Sequence, residues 1–110
     1  MTIENTPSFE AQAETILSQL GGQNRLTAMI GAKYFIRCDK THFVSFKFTA
    51  KSPNKINFIK ITLTPNDTYN VEFGWVRGLN YTVRKEVVQV YADALISTIE
   101  GVTGLRLTLN

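Results

Sequence analysis

The chain has few of the residues from which enzyme and metal sites are built. It has one cysteine, Cys38, and one histidine, His42. A single cysteine excludes an internal disulfide and predicts a reducing, intracellular setting. Cysteine, histidine and acidic residues nowhere show metal-site spacing. A Cys38–His42 nucleophilic pair lacks both an orienting carboxylate and an oxyanion donor, so the sequence favours a protein that is not an enzyme and needs no cofactor.

Long apolar runs are also missing. None approaches the about 20 residues of a membrane helix, and residues 1–7 lack the basic start and apolar stretch of a signal peptide. We therefore expect a cytoplasmic protein without a membrane partner. At 110 residues and 44% hydrophobic content, a single domain is expected over residues 1–110, with residues 1–5 as a flexible N-terminus. A charged fraction of only 19% leaves surface that a homodimer or higher homo-oligomer can bury.

Acidic side chains are scarce in the middle of the chain. Residues 25–85 contain eleven of the twelve Lys and Arg residues but only three acids, a net charge of +8, whereas the two flanks together carry −5. Ten of the twelve aromatic residues lie between Tyr34 and Tyr81. A basic, ring-rich middle suits a phosphate-bearing partner, that is, a nucleic acid or a nucleotide.

Apolar spacing predicts a helix near each end. The first has Thr6 as its N-cap and Pro7 as its first residue, and Gly21-Gly22 stop it. The last is expected over residues 86–100, with a short strand at residues 105–109 as an option.

Alternating residues and turn signals predict antiparallel strands between the two helices. They are expected over residues 34–38, 42–49, 56–64, 69–76 and 81–85, while residues 26–30 fit either a strand or a helix. Together the elements predict an α+β domain with an N-terminal helix, an antiparallel sheet of four to five strands, and a C-terminal helix packed on one face.

Alternation also assigns two faces to each strand. If the more apolar face of each is buried, three strands present a ring and a cation to solvent. These pairs are Phe35 with Arg37, Phe43 with Lys47, and Phe58 with Lys60. Such faces bind single-stranded nucleic acid, since bases stack on rings while Lys and Arg neutralise phosphates. The same rings fit packing against a helix or a second protomer, and the sequence leaves both interpretations open.

Five further residues are candidate ligand contacts. Arg25 and Lys33 lie beside glycines that can form an anion-binding nest, although the spacing is not that of a P-loop. Arg77 and Tyr81 flank a tight turn, where Arg can bind phosphate bidentately and Tyr can stack on a base. Arg106 adds a cation near the C-terminus. The glycines also serve as a helix stop, and the turn is also typical of a plain connection.

Three stretches carry a family likeness. They are Leu20-Gly21-Gly22 through Asn24-Arg25 and Ala28-Met29-Ile30-Gly31-Ala32-Lys33; Val71-Glu72-Phe73-Gly74 with Val76-Arg77-Gly78-Leu79-Asn80-Tyr81; and Tyr91-Ala92-Asp93 with Thr103-Gly104-Leu105. From about residue 16 to 109 the chain resembles small proteins of unassigned function encoded by bacteriophages, prophages and other mobile elements. The resemblance implies action in the bacterial cytoplasm, in nucleic-acid handling or in countering host defence.

Three functions follow from these patterns. The preferred one is a non-enzymatic protein that holds single-stranded nucleic acid on the basic, aromatic sheet face. The second is an oligomeric anti-defence protein that sequesters a cyclic-nucleotide immune signal in pockets lined by Arg25, Arg77, Tyr81 and Arg106. The third is a protein-binding inhibitor of a host defence factor, for which the acidic flanks matter as much as the basic middle.

Overall fold

The computed structural model describes residues 15–38 and 42–107, which form an α+β fold as predicted. The helices are α1 (residues 15–19), α2 (Gln23–Ile30), the 3₁₀ turn η1 (Ala92–Ala94) and α3 (Leu95–Thr103). The strands are β1 (Lys33–Cys38), β2 (Phe43–Lys47), β3 (Phe58–Leu63), β4 (Tyr69–Arg77) and β5 (Asn80–Val90). Within the described ranges, none of the helices combines the length and the apolar character needed to cross a bilayer.

The five strands form a meander. Their order in the sheet is β1-β2-β3-β4-β5, and each strand runs antiparallel to its neighbours. The predicted turn at residues 65–67 joins β3 to β4, and Asp67 adopts a left-handed φ of 61° there, which Asp tolerates. A longer loop, residues 48–57, joins β2 to β3.

The core lies between the helices and one face of the sheet, which we call the inner face. Along β2, β3 and β4 every second side chain points into it, as the alternation predicts. These strand residues are Val44, Phe46, Ile59, Ile61, Val71 and Phe73, all fully buried. The helices and the turn that follows α1 add Ile16, Leu20, Leu26, Ile30, Leu95 and Ile99 to the same cluster. The C-terminal helix therefore packs on one face of the sheet, as predicted.

The double glycine ends α1 as predicted. Gly21 and Gly22 have φ of 102° and 91°, a conformation that costs a glycine little. The Gly22 amide donates to the Leu17 carbonyl at 2.8 Å, which satisfies an end-of-helix acceptor. The predicted N-cap Thr6 and the following Pro7 lie outside the described residues.

The C-terminal helix begins later than the predicted residue 86. Residues 86–90 extend β5, where Val87 pairs with Val71 and Val90 pairs with Tyr69. The register shifts between these pairs, and Gln89 has φ of 55°. This bulge turns both valines toward the core, so their spacing fits a bulged strand as well as a helix. Residues 104–107 form no strand, and residues 108–110 lie outside the described ranges.

The two faces of β1 are the reverse of the prediction. Tyr34 and Ile36 were expected in the core but are 65% and 53% exposed. Phe35 instead packs on Phe46, with ring centroids 5.3 Å apart. The cause is a bulge, because the register shifts between Lys33 and Ile36 and Tyr34 has φ of 58°. The bulge shifts the phase of the alternation, so that the apolar ring of Phe35 packs half-buried against the core and the phenol of Tyr34 is exposed.

Because α3 packs against the inner face through the fully buried Ile99, truncating this side chain should destabilise the fold. Ile99→Ala should lower the free energy of unfolding by about 2–5 kcal/mol, because it removes transfer energy and leaves a cavity. Leu79→Ala is the control, since Leu79 is fully exposed, and should stay within about 0.5 kcal/mol. Urea unfolding followed by circular dichroism measures both. Equal effects would contradict the placement of α3.

Candidate functional site

The sheet face opposite the core, here called the outer face, gathers cations and rings. The described helices contribute to the single core on the inner face. On the other side, cross-strand partners form a continuous row in which Lys33 lies beside Lys47, and Lys47 beside Phe58. A second row places Ser45 beside Lys60 and Lys60 beside Glu72. Residues distant in sequence thereby share one surface.

Ammonium groups of the outer face lie against its rings. The Lys60 Nζ is 4.5 Å from the centroid of Phe43. Tyr34 is approached by two lysines, with the Nζ of Lys33 at 5.2 Å and that of Lys47 at 5.9 Å. All three distances are within the range of cation–π attraction. Rings and cations therefore lie together across β1, β2 and β3, but in other pairs than the sequence predicted, and the ring on β1 is Tyr34 in place of Phe35.

Tyr81 packs across β4 on the same face. Its ring lies so close to Gly74 that a Cβ added there would be 2.2 Å from it. The ring meets Phe58 edge-on, with centroids 5.3 Å apart, and its hydroxyl donates to Glu72 Oε2 at 2.5 Å. Burial, together with the hydrogen bond and the charge of Glu72, raises the pKa of Tyr81 well above its ordinary value. The phenol is therefore fixed and neutral.

The outer face is divided electrostatically. Lys33, Lys47 and Lys60 lie on β1, β2 and β3. Glu72 and Glu86 lie next to each other on β4 and β5. We call the β1–β3 part the basic half. A polyanion is attracted to the basic half and repelled locally by the Glu72–Glu86 pair, while Arg77, Arg84 and Lys85 lie elsewhere on β4 and β5.

The remaining sequence candidates lie elsewhere. Phe35 packs toward the core, and Arg37, which pairs with Val44, falls on the inner side of the edge strand. The Arg25 side chain lies over Gly21 at the end of α1. Arg77 is exposed at the β4–β5 turn and Arg106 is exposed after α3. Of the eleven candidate residues, the outer face brings together six: Lys33, Phe43, Lys47, Phe58, Lys60 and Tyr81.

A basic cavity at one end of the sheet was missed by sequence reasoning. Its volume is about 480 Å³, and we call it the lysine cavity. Its charged and aromatic lining consists of Lys33, Lys47, Lys51, Lys55, Phe48 and Trp75, and none of its described lining residues is acidic. A second cavity of about 480 Å³ lies beside it and shares Lys55 and Ile56. The signal available in the sequence was the basic loop at residues 51–55, but nothing local connects it to Trp75.

These surfaces supply binding groups. Among residues 15–38 and 42–107, no three His, Cys, Asp or Glu side chains lie close enough together to hold a metal ion. Lysine ammonium groups and ring faces recognise anions and planar bases without forming covalent bonds. The arrangement therefore suits recognition of a phosphate-bearing, base-containing ligand.

Comparison of the chain with protein-family models, with curated proteins and with solved structures finds no match. Function is accordingly argued from the outer face and the lysine cavity.

The Tyr81–Glu72 contact predicts a pH-dependent stability difference between the wild type and Tyr81→Phe. The pKa of Tyr81 is raised in the folded protein. The stabilisation that its hydrogen bond to Glu72 gives the fold is therefore fully present below the ordinary tyrosine pKa of about 10. It is lost as the pH rises above that value, where only the unfolded state releases the proton. The advantage of the wild type in unfolding free energy should therefore shrink between about pH 7 and about pH 11.

Glu72→Gln provides the matched background for this measurement. In this background the charged acceptor is missing, so Tyr81→Phe should lower the free energy of unfolding by less than it does in the wild type. The difference is a positive coupling energy in the double-mutant cycle. Parallel pH curves for Tyr and Phe at position 81 would show that the contact does not form.

Proposed function

We propose that this protein binds single-stranded nucleic acid on the basic half of the outer face and catalyses no reaction. The observation that carries the proposal is the interleaving of cations and rings there, above all Lys60 on the ring of Phe43. Rings on a sheet stack with bases while neighbouring cations neutralise the phosphates between them. The basic half supplies both groups on adjacent strands.

Exposure of the rings favours a single strand over a duplex. Tyr34 is 65% exposed at the edge of the basic half, and Tyr81 is 43% exposed beyond it. A base can lie flat on such a ring only when it is not stacked inside a double helix. In a duplex the base faces are hidden, and only the phosphates remain for Lys33, Lys47 and Lys60 to contact.

Binding requires the lysines to exchange partners. In the free protein the ammonium of the half-buried Lys60 occupies the face of the half-buried Phe43, a contact worth about 0.5–2 kcal/mol. A base stacked on the same ring contributes about 1–3 kcal/mol. The released ammonium then gains a phosphate contact, so the stack and the phosphate contact together outweigh the contact that is lost. The free protein thus holds each cation next to the ring on which a base would stack.

The charge division sets the path of the strand. The adjacent Glu72 and Glu86 repel phosphates from their own part of the outer face, so the strand is placed along β1, β2 and β3. In a homodimer or higher homo-oligomer, the basic halves of several copies would extend this path. The resemblance to proteins of phages and mobile elements favours the cytoplasm of a bacterial host as the setting.

Fluorescence polarisation of a labelled single-stranded oligonucleotide tests the proposal. Three lysine–phosphate contacts predict a slope of about −2 for log affinity against log salt concentration. Lys60→Gln should lower affinity and reduce the slope by about 0.7. Phe43→Leu keeps an apolar side chain but removes the ring, and should weaken binding about tenfold through the lost stack.

Arg106→Gln is the control, because it makes the same charge change on an exposed residue outside the basic half. Its affinity should remain close to that of the wild type. A duplex of the same sequence should bind more weakly than the single strand. The proposal fails if no binding occurs at low salt, or if Arg106→Gln weakens binding as much as Lys60→Gln does.

A further inference from the structure

One wall of the lysine cavity is the loop at residues 48–57, which hydrogen bonds hold to neighbouring elements. The amides of Thr49 and Ala50 both donate to the Ile30 carbonyl, at 3.1 and 3.0 Å. Ser52 Oγ donates to the Thr103 carbonyl at 2.6 Å, which fixes the loop to the end of α3. Bonds to the ends of α2 and α3 give the cavity its shape before any ligand arrives, and preorganisation of this kind favours binding.

Asn57 joins this loop to the strand that carries Trp75. Its side-chain amide donates to the Val76 carbonyl at 2.9 Å, and the Val76 amide donates back to Asn57 Oδ1 at 2.8 Å. The Asn57 amide also donates to the Gly74 carbonyl at 3.0 Å. Trp75 lies between these two bonded residues, so its position relative to the loop lysines is set by backbone contacts.

Four lysines line the lysine cavity, although their like charges repel one another. Lys33 and Lys47 face each other across β1 and β2, and like charges in such positions repel. Lys51 and Lys55 add two more ammonium groups from the loop. Since the described lining offers no carboxylate, the charges raise the local potential and attract an anion from outside.

The remaining lining suits a base. Trp75 is half-buried at the cavity, next to the buried side chains of Phe48 and Ile56. A volume of about 480 Å³ falls within the range of small-molecule sites, which run from about 300 to 1,000 Å³. In a space of this size, the four lysines suit the phosphates of a nucleotide and the indole of Trp75 suits its base.

We propose that the lysine cavity binds a nucleoside phosphate, with its phosphates between the four lysines and its base against Trp75. The ligand is a free nucleotide or the phosphorylated end of a nucleic-acid strand, since the chemistry is the same. This site adjoins the strand path on the outer face and shares Lys33 and Lys47 with it, while Lys51, Lys55 and Trp75 belong to the cavity and not to the strand path.

Trp75 is the only tryptophan in the chain and reports directly on its own site. Titration with ADP should quench its emission in a saturable manner. Adenosine should bind at least about tenfold more weakly, because it lacks the charge-assisted contacts. Pyrophosphate should displace ADP while causing little quenching by itself.

Lys51→Gln and Lys55→Gln test the cation set without touching the outer face. Each should weaken ADP binding about tenfold, since a charge-assisted contact is lost. Both side chains are exposed, so thermal melts should show folding unchanged. Arg106→Gln, which lines neither cavity, should bind ADP as the wild type does.

Competition against ADP distinguishes the two sources of ligand. If a 5′-phosphorylated oligonucleotide displaces ADP better than its 5′-hydroxyl counterpart, the cavity takes strand ends. If the two oligonucleotides displace ADP to the same extent, whether well or poorly, the cavity takes free nucleotides, because a strand on the outer face then opposes ADP only through the shared Lys33 and Lys47. The inference is overturned if ADP gives no saturable quenching, if adenosine matches ADP, or if the two lysine variants bind normally. Failure of oligonucleotides to bind the outer face, with ADP quenching intact, would overturn the proposed function alone.

Discussion

Burial of a single sheet face is the constraint on which this structure depends. The meander packs one face against its helices, and fully buried side chains such as Phe46, Ile59 and Phe73 supply that face. Because side chains alternate, the same strands must place their other residues on the opposite side. Lys47 and Lys60 therefore reach the outer face as a direct consequence of how the core is built. A slip of one residue would move these lysines into the core, so the register that secures folding also fixes the site.

Residues that are unfavourable in a β-sheet, namely like-charge pairs and a strand glycine, lie on the outer face and at its end. Lys33 opposes Lys47 and Glu72 opposes Glu86 across neighbouring strands, and each like-charge pair is unfavourable. Gly74 weakens a strand interior, yet only a glycine leaves room for the Tyr81 ring. The inner face, in contrast, is filled with apolar side chains in regular alternation. Sequences that break local rules in one region usually do so for function, which supports placing ligand contacts there.

The sequence predicted correctly those structural features that are determined by residues close together in the chain. The glycine stop after α1 and the core alternation of β2, β3 and β4 depend on neighbouring residues, and both are confirmed. The faces of β1 and the end of β5 depend on bulges at Tyr34 and Gln89. A bulge shifts the phase of alternation, and its position is decided by tertiary packing. The lysine cavity was out of reach for the same reason, since Asn57 brings the loop to Trp75 through bonds between distant residues.

The two proposed sites cannot act independently, because Lys33 and Lys47 border both. A phosphate in the lysine cavity lowers the positive potential that the basic half offers to a strand passing over Tyr34. A separate nucleotide and a strand should therefore oppose each other, and linkage makes the opposition equal in both directions. A strand whose own phosphorylated end occupies the cavity has the reverse effect, because one molecule then contacts both surfaces and its second contact is intramolecular. The shared lysines thus favour a single bound strand over two separate ligands.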